Sequence, residues 1–258
     1  MSLTIEEPMN TEAAKAAQNT SQDGSIPLLE VSNLRVYYGQ SLIVKDLTFR
    51  IFPGQAVCLL GRNGMGKTTT LKALMGLLKD CTGSITLNGT PIAHYPPNLR
   101  ACAGIGYVPQ GREIFPRLTV EENLLLGLEA APNKARVVPD FVYELFPILH
   151  SFLKRLGGDL SGGQQQQLAI ARALVADPKV LLLDEPTEGI QPSIIIEIEE
   201  AITRIQKERG VSVLLVEQYF EFAQSLADYF YLIENGSLIM EGFTAQMDEE
   251  KVRSHLSV

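Results

Sequence analysis

Three groups of residues have the types and spacing to do chemistry. The first is GRNGMGKT at Gly61–Thr68, which satisfies G-x-x-x-x-G-K-[ST] in full. Gly61, Gly64 and Gly66 let consecutive backbone N–H groups turn inward around phosphate oxygens, and a helix starting there adds partial positive charge. Lys67 supplies a point charge for the β- and γ-phosphates, the Thr68 hydroxyl can ligate Mg²⁺, and Arg62, Asn63, Met65 and Thr69 complete the cradle. The second group is VLLLDE at Val180–Glu185. A buried strand there delivers Asp184 at its C-terminal end, where α/β sheets bind ligands. Asp184 is read as a Mg²⁺ residue, directly or through water, and Glu185 as the acceptor of a proton from attacking water. An acidic pair after a strand is usually just the start of a turn; the phosphate loop is what makes this one chemical. The third group is LSGGQ at Leu160–Gln164. Ser161, Gly162, Gly163 and Gln164 open a helix whose free N–H groups form a second anion site.

Positioning these groups requires an α/β framework. Leu29–Tyr37 and Leu47–Ile51 read as strands with a Pro53-Gly54 turn after them, and Ala56–Leu60 as a strand buried on both faces. Ser84–Leu87 before Asn88-Gly89 reads as part of a hairpin, as does Tyr229–Glu234, Asn235-Gly236, Ser237–Glu241. Helices are expected after the phosphate loop (Thr69–Met75), from Gly162 to Ala176, and at Ile194–Arg209 with Gly210 as its stop. Strands Val180–Leu183 and Val211–Val216 alternate with these helices. Residues 95–160 differ in texture: seven prolines break them into short pieces, with helices expected at Val120–Leu128 and Asp140–Phe146, and they read as an insertion beside the sheet. Residues 1–26 lack sustained apolar pattern and read as a flexible tail with a weak helix near Thr11–Ala17, leaving 27–258 as one domain.

Composition narrows the class. Of 258 residues, 45% are hydrophobic and 20% charged, which excludes wholesale disorder. A net charge of -8 argues against nucleic acid as a partner. Cys58, Cys81 and Cys102 are odd in number and lack metal-ligand spacing, so a reducing compartment is expected. No apolar run approaches the roughly eighteen residues needed to cross a bilayer, and the N-terminus has no secretory pattern. Action at a membrane would have to go through a partner.

With both nucleotide motifs flanking it in order, LSGGQ followed by QQQLAIARAL resembles the signature of the ATP-binding-cassette (ABC) superfamily, and the resemblance runs from Leu28 onward. It implies a P-loop NTPase core with a mixed or largely parallel sheet, an N-terminal antiparallel β subdomain and an inserted α-helical subdomain. It implies ATP and Mg²⁺ as cofactors, and two cassettes packed head to tail. Ser161, Gly162, Gly163 and Gln164 would then face the γ-phosphate held by the second cassette. By register, Tyr38 matches the aromatic that stacks on adenine, and Gln110 the glutamine that contacts Mg²⁺ and links core to insertion. The resemblance further implies two membrane permease subunits, an indirect solute-binding protein, and a peripheral place on the cytoplasmic membrane face.

Two positions depart from the superfamily pattern. Gln218 stands where a histidine is common, so an amide that orients the γ-phosphate replaces a group that could shuttle a proton. Glu188-Gly189-Ile190-Gln191 stands in place of Ser-Ala-Leu-Asp, so Gln191 replaces an acidic residue that communicates between cassettes. Both departures resemble the branched-chain amino acid and amide importer branch. Within it, Tyr107–Leu126 looks most like the second ATPase of urea importers, so urea is expected ahead of branched-chain amino acids as cargo. Ile114, Phe115 and Leu118 either line a groove for a permease helix or pack the insertion's own core. A soluble cassette ATPase of translation or repair is the rival class; one cassette, no zinc module and an acidic balance count against it. An exporter or lipopolysaccharide-type motor is a third reading, which would be expected to carry the histidine that Gln218 replaces.

Overall fold

The computed structural model describes residues 26–131 and 136–256. Apart from Ile26, the expected tail and its Thr11–Ala17 helix lie outside them. The chain alternates strands and helices into two sheets. The first holds β1 (Leu29–Tyr38), β2 (Ser41–Ile51), β4 (Cys81–Leu87) and β5 (Thr90–Pro91) in the antiparallel order β2-β1-β4-β5. The second holds β3 (Ala56–Leu60), β6 (Ile105–Val108), β7 (Val180–Asp184), β8 (Ser212–Glu217), β9 (Tyr229–Glu234) and β10 (Ser237–Phe243), ordered β10-β9-β3-β8-β7-β6. Only β10 runs antiparallel to its neighbour, which makes the sheet mixed.

Every residue of β3, β7 and β8 is buried, as continuous apolar runs require of central strands. Their alternate side chains serve two cores. Val57 and Leu59 face the first sheet with Leu29, Phe49, Leu182 and Tyr231. Ala56, Cys58 and Leu60 face the helices on the other side with Leu168, Leu183, Ile202 and Phe222.

The helices are α1 (Lys67–Leu74), α2 (Pro97–Ala103), α3 (Val120–Gly127), α4 (Asp140–Leu145), α5 (Pro147–Ser151), α6 (Gly162–Leu174), α7 (Pro192–Arg209), α8 (Phe220–Leu226) and α9 (Glu249–Leu256). Thr119 and Glu122 close a capping box at the start of α3. The expected Asp140–Phe146 helix stops one residue early because Pro147 forces Phe146 out of helical conformation, to φ -130 and ψ 72. Gly210, at φ 67, ends α7. Both Asn-Gly pairs adopt positive φ at both residues and close tight hairpin turns.

Two readings shift. β2 begins at Ser41 rather than Leu47, because polar Lys45 and Asp46 interrupt the apolar pattern without interrupting the strand. Asp46 takes φ 54 and its carboxylate meets the Arg35 guanidinium at 2.5 Å across the irregular register. The stretch read as an insertion loses its first part, because the strand the sequence places at Ile105–Val108, just before Gln110, is the edge strand β6 and pairs with β7.

Arg100 of α2 is a buried cation with no carboxylate partner among the described residues. It donates to four carbonyls: Tyr95 (2.9 Å), Ala73 and Leu74 (2.8 Å each) and Ala93 (2.6 Å). Ala73 and Leu74 are the last residues of α1, so the guanidinium covers the Leu74 carbonyl that the helix end leaves open and shares the Ala73 carbonyl with Gly76 N–H (3.0 Å).

Candidate active site

The phosphate loop connects β3 to α1, and its shape depends on glycine at specific points. Gly64 and Gly66 take φ 79 and 102, a region open to glycine and strained for other residues. A Cβ on Gly61 would stand 2.6 Å from the Ile233 carbonyl oxygen, so β9 backs the loop directly. The β9–β10 turn holds it as well: Gly236 N–H donates to Met65 O (3.1 Å), and Lys45 N–H donates to Gly236 O (2.7 Å).

Lys67 folds back over the loop and donates to Gly61 O (2.8 Å) and Arg62 O (3.1 Å). Its ammonium also meets Glu185 Oε1 at 3.2 Å, both side chains being buried. Glu185 follows β7 with φ 47, unusual for a non-glycine residue, and its N–H is held by Val216 O at 3.0 Å. Gln110 donates its amide to Glu185 Oε2 (3.2 Å) and Glu188 Oε2 (2.9 Å). Asp184 accepts from the Thr68 hydroxyl (2.9 Å) and more weakly from the Tyr107 hydroxyl (3.4 Å). Burial pushes the Asp184 carboxyl up, the Thr68 hydrogen bond opposes this, and the neighbouring Glu185 charge adds to it. Lys67, Thr68, Gln110 and Glu185 border a cleft of about 300 Å³, together with Asn63, Gly64, Gly66 and Thr69 and with Ile43 as an apolar wall; Asp184 reaches it through its bond to Thr68.

The structure therefore gathers Lys67, Thr68, Gln110, Asp184 and Glu185, which come from three separate segments. Of the other expected residues, Asn63, Gly64, Gly66 and Thr69 also line the cleft, whereas Tyr38, Ser161–Gln164, Gln191 and Gln218 are not part of its lining. Tyr38 sits at the end of β1 with nearly half its surface exposed. Ser161 caps α6, accepting from Gln164 N–H, while the Gln164 side chain accepts from Ser161 N–H; Ser161 is exposed and Gly163 behind it is buried. Gln191 precedes α7 without capping it through its side chain. Gln218 is exposed, and among the described residues its amide side chain makes no hydrogen bond.

Residues missed from the sequence explain how the loops are held. The buried Glu217 carboxylate accepts from the Thr187 hydroxyl (2.8 Å) and Thr187 N–H (3.3 Å). It also accepts from Gln218 N–H (3.2 Å) and Tyr219 N–H (3.4 Å). Burial pushes this carboxyl up against the donated bonds. Glu217 thus ties the loop after Glu185 to the loop bearing Gln218. Its only sequence signal is a charge ending an apolar strand.

The Thr68 hydroxyl, the Asp184 carboxylate and the Gln110 side-chain oxygen form an all-oxygen donor set, which fits a hard divalent cation. Among the described residues no group of three Asp, Glu, His or Cys side chains is arranged to hold a metal ion, so a cation here would rely on phosphate oxygens too.

Comparison with known proteins agrees with this geometry. Residues 44–188 match the family model described as ABC transporter. The chain is 41% identical to the high-affinity branched-chain amino acid transport ATP-binding protein BraG of Pseudomonas aeruginosa, over 88% of this chain and 97% of that protein. It is 37% identical to the lipopolysaccharide export system ATP-binding protein LptB of Haemophilus influenzae, over 88% of this chain and 95% of that protein. Its fold matches the ADP conformation of MJ1267, an ATP-binding cassette of an ABC transporter, with a TM-score of 0.74 at 25% identity over 90% of this chain and 95% of that one. The chain belongs to the ABC transporter family as an ATPase whose hydrolysis is coupled to transport.

Proposed function

We propose that this ATPase powers import of branched-chain amino acids through a membrane permease, as a peripheral subunit on the cytoplasmic face. The observation that carries the motor reading is the convergence of Lys67, Thr68, Gln110, Asp184 and Glu185 on one cleft. The cargo reading rests on the likeness to BraG, which is greater than that to LptB. This reverses the order expected from the sequence, where urea stood first. Urea keeps one supporting feature, the likeness of the Tyr107–Leu126 segment. Among the described residues no helix is long and apolar enough to cross a membrane, so the permease is a separate chain in this reading.

In the proposed cycle, the loop N–H groups and Lys67 bind the β- and γ-phosphates, and Glu185 accepts the proton of the attacking water. Mg²⁺, held by Thr68, Asp184 and Gln110, would neutralise phosphate charge. Ser161, Gly162, Gly163 and Gln164 complete the site of a second cassette, which fits the exposure of Ser161 and its place outside this chain's own cleft lining. Gln218 orients without exchanging protons. Of the three residues considered for permease docking, Ile114 packs partly on the core while Phe115 is exposed. That divides the roles, with Phe115 offered to the permease.

Uptake of labelled leucine and urea in cells lacking this chain tests the cargo. Loss of leucine uptake with urea uptake intact is expected; the opposite pattern would restore the urea reading. A test of Gln218 is the pH profile of hydrolysis: Gln218→His is expected to introduce a step in the imidazole range, near pH ~6.5. An unchanged profile would place residue 218 away from the reacting phosphate.

A further inference from the structure

Arg112, which the assigned site does not use, stands where the composite site needs charge. It lies two residues beyond Gln110, in a segment with unusual backbone: Arg112 takes φ 73 and Glu113 φ 45, consecutive non-glycine residues in the left-handed region. Such conformations are strained and persist when surrounding contacts over-determine them. Here Arg112 N–H donates to Pro109 O (3.0 Å) and Glu113 N–H to Gly111 O (2.8 Å). Arg172 of α6 donates to Glu113 O (2.8 Å) and stacks on the Phe115 ring at 5.2 Å. The Arg112 side chain lies against the start of α6. Its Nη1 and Nη2 lie 3.1 and 3.4 Å from where a Cβ would sit on Gly162, so glycine there leaves room for the guanidinium. On its other side, Nη2 is 3.8 Å from the corresponding position of Gly189.

The charge of this guanidinium is poorly matched. Among the described residues no carboxylate lies within ion-pair distance of Arg112, in a chain with a net charge of -8. Its one hydrogen bond is a long one, from Nη2 to Glu188 O at 3.4 Å. A planar fork with free donors, set beside a helix N-terminus, suits a phosphate oxygen.

We propose that Arg112 is a further phosphate ligand of the composite site, contacting the γ-phosphate of the nucleotide held by the second cassette alongside Ser161 and Gly162. This rests on the reading that the α6 start completes a second cassette's site. It assigns Arg112 to the partner's nucleotide and not to the chain's own.

The test uses the whole transporter purified with Arg112→Gln or Arg112→Lys in this chain, with Ser161→Ala as a reference. Both Arg112 variants keep a side chain at the same strained backbone position. Arg112→Gln should lower kcat for ATP hydrolysis on the order of tenfold to a hundredfold. ADP affinity and thermal midpoint of the isolated full chain should stay within twofold and about two degrees of wild type, and Arg112→Lys should keep more activity than Gln. Loss of ADP affinity in step with kcat would overturn the proposal by placing Arg112 on the chain's own nucleotide. A lowered midpoint with Lys no better than Gln would overturn it in favour of a tether to Glu188. If Ser161→Ala slows turnover and Arg112→Gln does not, the Arg112 proposal alone falls. If neither slows it, the composite-site reading falls as well.

Discussion

Glu185→Gln is expected to slow ATP turnover by about a hundredfold or more, the lower range of what a positioned general base contributes. The substitution keeps the size of the side chain and the left-handed backbone at residue 185, which is held by Val216 O. What it removes is the ability to take a proton. It also neutralises the partner of Lys67, whose ammonium lies 3.2 Å from Glu185 Oε1. In the wild-type cleft a bound phosphate and Glu185 compete for that ammonium; in the variant the phosphate has it alone. ATP affinity should therefore be equal to or higher than wild type while hydrolysis falls. Phosphate release and equilibrium binding of a fluorescent ATP analogue, measured on the same preparation, check both halves. Near-normal hydrolysis would remove Glu185 from its role, and a parallel loss of binding would mean it holds the cleft together instead.

The second large effect is on stability. Arg100→Met is expected to cost about 2–4 kcal/mol, since charged hydrogen bonds contribute roughly 1.5–3 kcal/mol each and do not add fully. Methionine fills much of the space of the arginine stem, so the loss comes from carbonyls rather than from a cavity. Leu74 would keep a buried acceptor, and Tyr95 and Ala93 part-buried ones, without the guanidinium donor that now serves them. Part of the loss is offset because a guanidinium no longer has to leave water; its desolvation is what lowers the Arg100 pKa. Arg100→Lys should recover only part, as a single ammonium cannot reach four carbonyls in a fork. Urea denaturation of both variants measures this. A Met variant within about 0.5 kcal/mol of wild type would show that water serves those carbonyls equally well.

What could be read from the sequence follows the range over which each signal acts. The phosphate loop, the buried strands ending at Leu60 and Asp184, and the Asn-Gly turns are set by neighbours in sequence, so local chemistry reveals them. The pairing of Thr68 with Asp184 was foreseeable because both would meet one cation. Arg100 was not, because nothing near it in sequence shows that it reaches the end of α1. Glu217 was overlooked for a similar reason: a buried carboxylate satisfied by Thr187 and two backbone N–H groups looks, in sequence, like a strand ending in a charge. The early part of β2 was missed because Lys45 and Asp46 mimic a loop, and with it went Ile43, the apolar wall of the cleft. Gln218 and Tyr38 carry motif positions, yet their side chains stand outside the cleft lining of this chain.

The turn at Asn235-Gly236 has a bearing on how the protein is made. Gly236 braces Met65 of the phosphate loop and is itself gripped by Lys45, while Ile233 presses on Gly61. A ribosome completes the loop motif long before it makes these braces. Until the stretch beyond Gly236 has cleared the exit tunnel, a nascent chain would carry every phosphate-binding residue without the wall that curves them. ATP could then stabilise the chain only late in synthesis, as the mixed sheet closes by pairing β3 with β9. Nucleotide protection of stalled chains of increasing length would map that moment.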